Sequence, residues 1–326
     1  MADALLRIEN LSIDFQSSRG PVHALRNVSL DVPRGSIVGL VGESGSGKST
    51  LALATIGLLQ NNAVIKDGRI LFDGRDLLKL GGAELRALRG RRISMVFQDP
   101  MTALNPVLSI GRQMIDIQYR DSGGTADKRR KSVELLRRVG IPDPEQRLDQ
   151  FPNEFSGGMR QRIAIAMGLS GNPELLIADE PTTALDVTME AQIIHLLRQL
   201  RRDFEGSILF ISHNLGLIAE LCDYVVILYA GEVVEQGTVH DIFHRPRHPY
   251  TEALLVCDPA RIEQTSRELP TISGDVPNLL SVPPGCVFAP RCPRVFEPCR
   301  GRQPADYALS DTQKARCHLL EGASHG

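Results

Sequence analysis

Gly42-Glu43-Ser44-Gly45-Ser46-Gly47-Lys48-Ser49-Thr50 decides the reading of this chain. The stretch fits G-x-x-x-x-G-K-[ST], a loop that cradles the phosphates of a nucleoside triphosphate. Gly42, Gly45 and Gly47 permit a backbone path that a Cβ would resist. Along that path successive N–H groups, those of Ser44 and Ser46 among them, point at one spot and form an anion-binding nest. A helix is expected to start near Gly47, which turns its positive end toward the same spot. Lys48 can reach the β- and γ-phosphates, and the Ser49 hydroxyl can ligate Mg²⁺. Thr50 continues the helix and is counted with the nucleotide-binding residues.

The flanks supply the context this motif needs. Residues 36–41, Ser-Ile-Val-Gly-Leu-Val, form a short apolar run suited to a buried parallel strand. Residues 51–59 are apolar helix formers. Strand, loop and helix in that order imply an α/β fold of the phosphate-loop NTPase type.

Length and composition bound what surrounds this core. With 326 residues the chain can hold two domains. Its 42% hydrophobic and 23% charged content is ordinary for a soluble protein. A formal net charge of −2 exerts no global pull on nucleic acid. No apolar run approaches the ~18 residues that span a membrane. Asp3 and Glu9 and the lack of an apolar signal core argue against export. The expectation is a cytosolic chain whose membrane role, if any, comes through partners.

Working outward, Leu5 to Phe15 alternates as a strand, with Val22 to Val32 its hairpin partner across Ser17-Ser18-Arg19-Gly20. Phe15 is either an adenine-stacking aromatic or a strand-end core residue; spacing does not separate the two. Further strands are expected at residues 68–74 and 93–97, the second running into Gln98. A glutamine at a strand end beside a nucleotide can orient water or ligate Mg²⁺. From Met101 to Gly171 the spacing becomes helical, at 110–119 and 128–139, with breaks at Gly123-Gly124 and Pro142 to Pro144. The run Lys128-Arg129-Arg130-Lys131 reads as a solvated helix face. Ser156-Gly157-Gly158 then opens a helix at 163–169, with Ser156 as its N-cap and two glycines that let a phosphate approach.

An apolar strand at 175–178 ends in Asp179 and Glu180. Burying carboxylates is costly, so a strand ending in two acids points to function. Asp179 suits Mg²⁺, and Glu180 is placed as general base for the attacking water. Asp186 follows closely. A last buried strand, 207–211, ends in Ser212-His213, and His213 can contact the γ-phosphate.

The order phosphate loop, Gln98, Ser156-Gly157-Gly158, Asp179-Glu180, Asp186, His213 resembles the ATP-binding cassette (ABC) family over about residues 5–245. Phe155 and Met159 replace the usual outer residues of the family's Leu-Ser-Gly-Gly-Gln signature, while the central Ser-Gly-Gly is kept. Gln98-Asp99-Pro100-Met101-Thr102-Ala103-Leu104-Asn105-Pro106, Gly157 to Arg162, His248-Pro249-Tyr250-Thr251 and the tail Gly285-Cys286 to Cys292-Pro293 resemble ATPase subunits of dipeptide, oligopeptide and nickel importers.

The resemblance implies a RecA-like core with an antiparallel β subdomain, and a helical subdomain at about 100–171, within an ATPase domain at 1–245. A Cys-rich extension would occupy 246–326. It also implies ATP with Mg²⁺, two transmembrane permease subunits, an external solute-binding protein and a second, related ATPase chain, hence a heterodimer, on the cytoplasmic face of the membrane. Each ATP would lie between one chain's phosphate loop and its partner's signature. DNA-repair and translation ATPases of the same fold are the competing class. The chain has neither the heptad run of the first nor the second cassette of the other.

Cys222 and Cys257 stand alone and read as small hydrophobes, whereas Cys286, Cys292, Cys299 and Cys317 crowd a proline-rich tail with little periodicity. A segment that buries so little needs a staple, and disulfides are disfavoured in a reducing cytosol. Four thiolates suit either Zn²⁺ or a [4Fe–4S] cluster. The uneven spacing and the importer resemblance favour the cluster.

Overall fold

A tight turn at Ser18-Arg19 folds the N-terminal segment back on itself. Strand β1 (Ala4–Ser17) pairs antiparallel with β2 (Gly20–Pro33), Ser17 opposite Gly20. The alternation of β1 is interrupted: the register shifts between Ile8 and Leu11, where Asn10 adopts a left-handed φ of 51°. This bulge resets the face, so Leu6, Ile8, Leu11 and Ile13 are all buried in one long strand. The chain next enters β3 (Ile37–Val41), buried at every residue. β4 (Ala63–Phe72) returns to the free edge of β1, and β5 (Arg75–Asp76) completes a sheet of order β2-β1-β4-β5.

The computed structural model describes residues 3–99, 103–182, 187–258 and 270–322. Its contacts divide the chain into two compact units, Met1–Leu80 with Ser212–Gly326, and Gly81–Ile211. The second unit holds the parallel strands β6 (Ile93–Val96), β7 (Leu175–Asp179) and β8 (Ser207–Ile211), with β7 in the middle. β7 and β8 are buried throughout, which is why they read as continuous apolar runs. Helices Ile110–Asp116, Thr125–Arg138 and Gly157–Leu169 fill the stretch expected to be helical. Arg162 caps the second of these, donating to the carbonyls of Val139 (2.9 Å) and Gly140 (3.3 Å) and to Gln192 Oε1 (3.1 Å). Arg129, Arg130 and Lys131 pair with Asp149, Asp127 and Asp121 on the surface.

The first unit resumes with helix Leu215–Leu221, capped by Asn214, and then β9 (Tyr224–Tyr229), which runs parallel to β3. β10 (Glu232–Thr238) turns back across Ala230-Gly231, both with positive φ, at 46° and 84°. Neither β9 nor β10 was among the strands expected from the sequence. The tail adds β11 (Tyr307–Ala308) and β12 (Lys314–Ala315), and β12 pairs with β10. Two-residue strands leave no periodicity to read.

Buried Glu235 of β10 anchors the tail. It accepts from the Arg247 and His248 N–H groups (2.8 and 2.9 Å) and from Gln313 Nε2 (2.9 Å). His248 beside it is buried completely, which pushes its pKa down to about 3 and keeps it neutral. Its Nδ1 accepts from the Tyr250 N–H at 3.0 Å.

Candidate nucleotide site and its family

β3 delivers the chain to Gly42, whose backbone packs on β9. A Cβ there would stand 2.1 Å from the Leu228 carbonyl oxygen. Gly47 is the N-cap of helix Lys48–Thr55 with φ 106°, a conformation that other residues resist. A Cβ at Gly47 would also meet Leu25 Cδ2 at 2.6 Å and the Ala24 oxygen at 2.9 Å. Between these glycines the loop is stitched by Ser46 N–H to Glu43 O (3.1 Å) and by Gly231 N–H to Ser46 O (2.9 Å). Lys48 folds back over the loop, its Nζ donating to the carbonyls of Gly42 (2.8 Å) and Glu43 (3.1 Å). Ser46 Oγ is buried without a hydrogen-bond partner. An orphaned donor in a glycine-walled loop at a helix N-terminus fits a phosphate oxygen. Ser44 is exposed on the loop, Ser49 is exposed in the first turn of the helix, and Thr50 follows it there. Elsewhere in this unit Phe15 is half-buried on β1 opposite Val22 and Ala63. His213 is exposed just beyond Ser212, whose Oγ accepts from the Asn214 N–H at 3.0 Å.

The second unit carries the acids and the signature. Asp179 ends β7 and is buried, and Glu180 is the next residue. Glu180 takes a left-handed φ of 45°, which costs a residue with a Cβ about 1–3 kcal/mol. Its N–H donates to the Ile211 oxygen at 2.9 Å, which fixes that conformation. Gln98 lies beyond β6, exposed, and its Nε2 donates to Glu180 Oε2 at 3.2 Å. The structure thus joins two residues that the sequence had given separate tasks. A glutamine bonded to the base can share the water that the base activates. Ser156 is the N-cap of helix Gly157–Leu169, its Oγ accepting from the Met159 N–H at 3.3 Å. Ser156 and Gly157 are exposed, while Gly158 packs so closely that a Cβ would meet Met189 Sδ at 2.3 Å. Phe155 is buried with the Arg147 guanidinium 5.6 Å above its ring, so the aromatic in place of leucine is absorbed by packing. Asp186 lies outside the described residues. Each unit offers hard oxygen donors of the kind Mg²⁺ takes: the Ser49 hydroxyl in the first, the Asp179 carboxylate and the Gln98 amide in the second.

The sequence profile of the ABC transporter family matches residues 25–183, and that of the oligopeptide/dipeptide transporter C-terminal region matches residues 234–299. The dipeptide transport ATP-binding protein of Bacillus subtilis is 46% identical over 98% of this chain and 96% of its own length. Its Escherichia coli counterpart is 44% identical over 97% of this chain and 96% of its own length. The chain belongs to the ABC transporter ATP-binding subunits of this peptide-importer family. A dimeric ATP-binding cassette captured after hydrolysis with ADP and Pi shares the fold, with TM-score 0.64 and 27% identity. The match covers 72% of this ABC subunit and 98% of that cassette.

The remaining candidate residues of the ABC subunit are its cysteines. None of the six is in a disulfide; Cys222 is buried and Cys257 half-buried. In the tail Cys286, Cys299 and Cys317 are buried and Cys292 half-buried. The Cys286 N–H donates to the Cys299 oxygen at 2.8 Å. Burial pushes the Cys286 thiol up to about 12, and the three other tail cysteines add to that rise. Burial also raises Cys292 and Cys317. The N–H groups of Phe288, Arg294 and Leu319, each two residues past a cysteine, point at the sulfurs of Cys286, Cys292 and Cys317. Among the described residues no group of three or more His, Cys, Asp or Glu side chains is gathered so as to hold a metal ion. That holds equally for the two groups expected from the sequence on these four cysteines, the [4Fe–4S] cluster and the zinc ion.

Proposed function

We propose that this ABC subunit binds and hydrolyses ATP to drive uptake of peptides or a related solute through a membrane importer. The observation that carries this reading is the 44–46% identity, along almost the whole chain, to ATP-binding proteins named for dipeptide and oligopeptide transport. Its partners are two permease subunits, a second, related ATPase chain and an external binding protein, with no nucleic acid. The chain sits on the cytoplasmic face of the membrane through the permease. No described helix is long and apolar enough to cross the bilayer itself. Residues 1–245 form the ATPase domain, with a helical subdomain at about 100–171, and 246–326 the extension. Expressed with its permease subunits, the chain should co-purify with them in detergent. Recovery of the chain alone would contradict this reading.

Gly42, Ser44, Gly45, Ser46, Gly47, Lys48, Ser49 and Thr50 receive the triphosphate, and Phe15 takes the adenine face. Asp179, Ser49 and Gln98 hold Mg²⁺, which supplies charge neutralisation between the phosphates. Glu180 removes the proton of the attacking water, with Gln98 holding that water and His213 touching the γ-phosphate. Ser156, Gly157 and Gly158 close on the partner chain's ATP, and Asp186 is counted with the nucleotide-binding residues. The dimeric ADP- and Pi-bound cassette supports that arrangement.

For the tail, a [4Fe–4S] cluster on Cys286, Cys292, Cys299 and Cys317 is the reading we favour. Each thiolate of a cubane binds a different iron, so its sulfurs stand further apart than around a single ion. Backbone N–H groups aimed at three of the sulfurs would stabilise thiolates that burial otherwise disfavours. The role is structural. Anaerobically purified protein should be brown and contain about four irons per chain, and Cys292→Ser should bleach it. Colourless protein without iron would end the proposal.

A further inference from the structure

Arg291 lies in the C-terminal segment, yet its side chain is buried against the phosphate loop and only 5% exposed. Its Nη1 donates to both carboxylate oxygens of Glu43, at 3.2 and 2.9 Å, and to the Tyr229 hydroxyl at 3.3 Å. Nη2 reaches the Ile272 oxygen at 2.8 Å, and Nε the Ser273 oxygen at 3.0 Å. All three nitrogens of the fork are thus engaged, an arrangement a lysine cannot reproduce. Glu43 is the second residue of the loop. Its N–H donates to the Tyr250 hydroxyl at 3.1 Å, and its carbonyl accepts from Lys48 and Ser46. Beneath it Tyr229, Tyr250 and Phe288 pack ring on ring, with centroids 4.4 to 5.3 Å apart. Phe288 and Arg291 both come from the tail, between Cys286 and Cys292.

Glu43 puts a carboxylate on a loop that must receive a polyanion. Left uncompensated, that charge would repel the phosphates at short range. We propose that Arg291 is a positioning residue for the phosphate loop: it neutralises Glu43 and holds it against the C-terminal segment, so that the loop presents donors alone to ATP. The tail thereby helps build the nucleotide site. This rests on the reading of Gly42 to Thr50 as the phosphate site, for which Lys48→Ala is the separate control.

The test is ATP affinity of the full-length chain, followed by KM and kcat of the assembled transporter. Arg291→Gln should raise the Kd for ATP about tenfold. KM should rise in parallel, with a loss several times larger than any fall in kcat. Adding Glu43→Gln to Arg291→Gln should return the Kd to within about threefold of Glu43→Gln alone, because the repelling charge is gone. If Arg291→Gln does not fold, Arg291→Lys loses the fork's bonds to the Ile272 and Ser273 carbonyls but keeps the charge beside Glu43, and that charge should hold the Kd within about threefold of native. A Kd for Arg291→Gln within about twofold of native would overturn the proposal. So would a double variant as weak as Arg291→Gln, or a tenfold loss in Arg291→Lys. Unchanged ATP affinity in Lys48→Ala would overturn the phosphate-loop reading and this proposal with it.

Discussion

Glu180→Gln should lower steady-state ATP hydrolysis by roughly 10²–10⁴-fold while leaving ATP affinity within a small factor of native. The substitution preserves shape and removes only the base and its charge. Glu180 is already held by the Ile211 oxygen through its own N–H and touched by Gln98 at 3.2 Å. The amide can therefore occupy the same place in the same left-handed backbone. The loop proposed to bind the phosphates lies on the other unit, and its Lys48 and glycines are untouched. With turnover blocked, ATP should accumulate in a closed pair of chains, read as a shift to a larger species in gel filtration with Mg²⁺ and ATP. Hydrolysis at near the native rate would remove Glu180 from the role of base.

Ser156→Arg should abolish turnover by about a hundredfold or more while this chain's own phosphate loop still binds nucleotide. Ser156 and Gly157 are exposed at a helix N-terminus, placed for a ligand that comes from outside the chain. An arginine there fills the approach and removes the N-cap bond to the Met159 N–H, at about 1 kcal/mol of helix stability. That cost does not reach the phosphate loop, so ATP binding to the isolated variant should persist. Loss of binding in the isolated variant would contradict a signature that acts on the partner's nucleotide.

The phosphate loop, the acids at the end of β7, the Ser156 cap and the parallel strands other than β9 were legible because each has a short-range signature. A buried strand reads as an apolar run, a cap as a serine before a helix, a phosphate loop as spaced glycines. What escaped was long-range. Glu43 stands at an unspecified position of the motif, and nothing local links it to Arg291 almost 250 residues away. Gln98 and Glu180 were each read for chemistry, but their contact depends on the pairing of β6 with β7. Leu5 to Phe15 was expected as one alternating strand, but its bulge between Ile8 and Leu11 shows only in the register against its partner. The tail carried no periodicity, and its attachment through Glu235, Gln313 and β12 is a matter of buried polar contacts that no spacing reveals.

The most direct measurement is ATP-driven uptake into proteoliposomes that carry this chain with its permease and partner ATPase, supplied outside with the cognate binding protein and a panel of di- and oligopeptides. Uptake of at least one peptide should require internal ATP, hydrolysis should rise when the loaded binding protein is added, and both should vanish with Glu180→Gln. Hydrolysis indifferent to the loaded binding protein, with no peptide accumulated, would contradict the account.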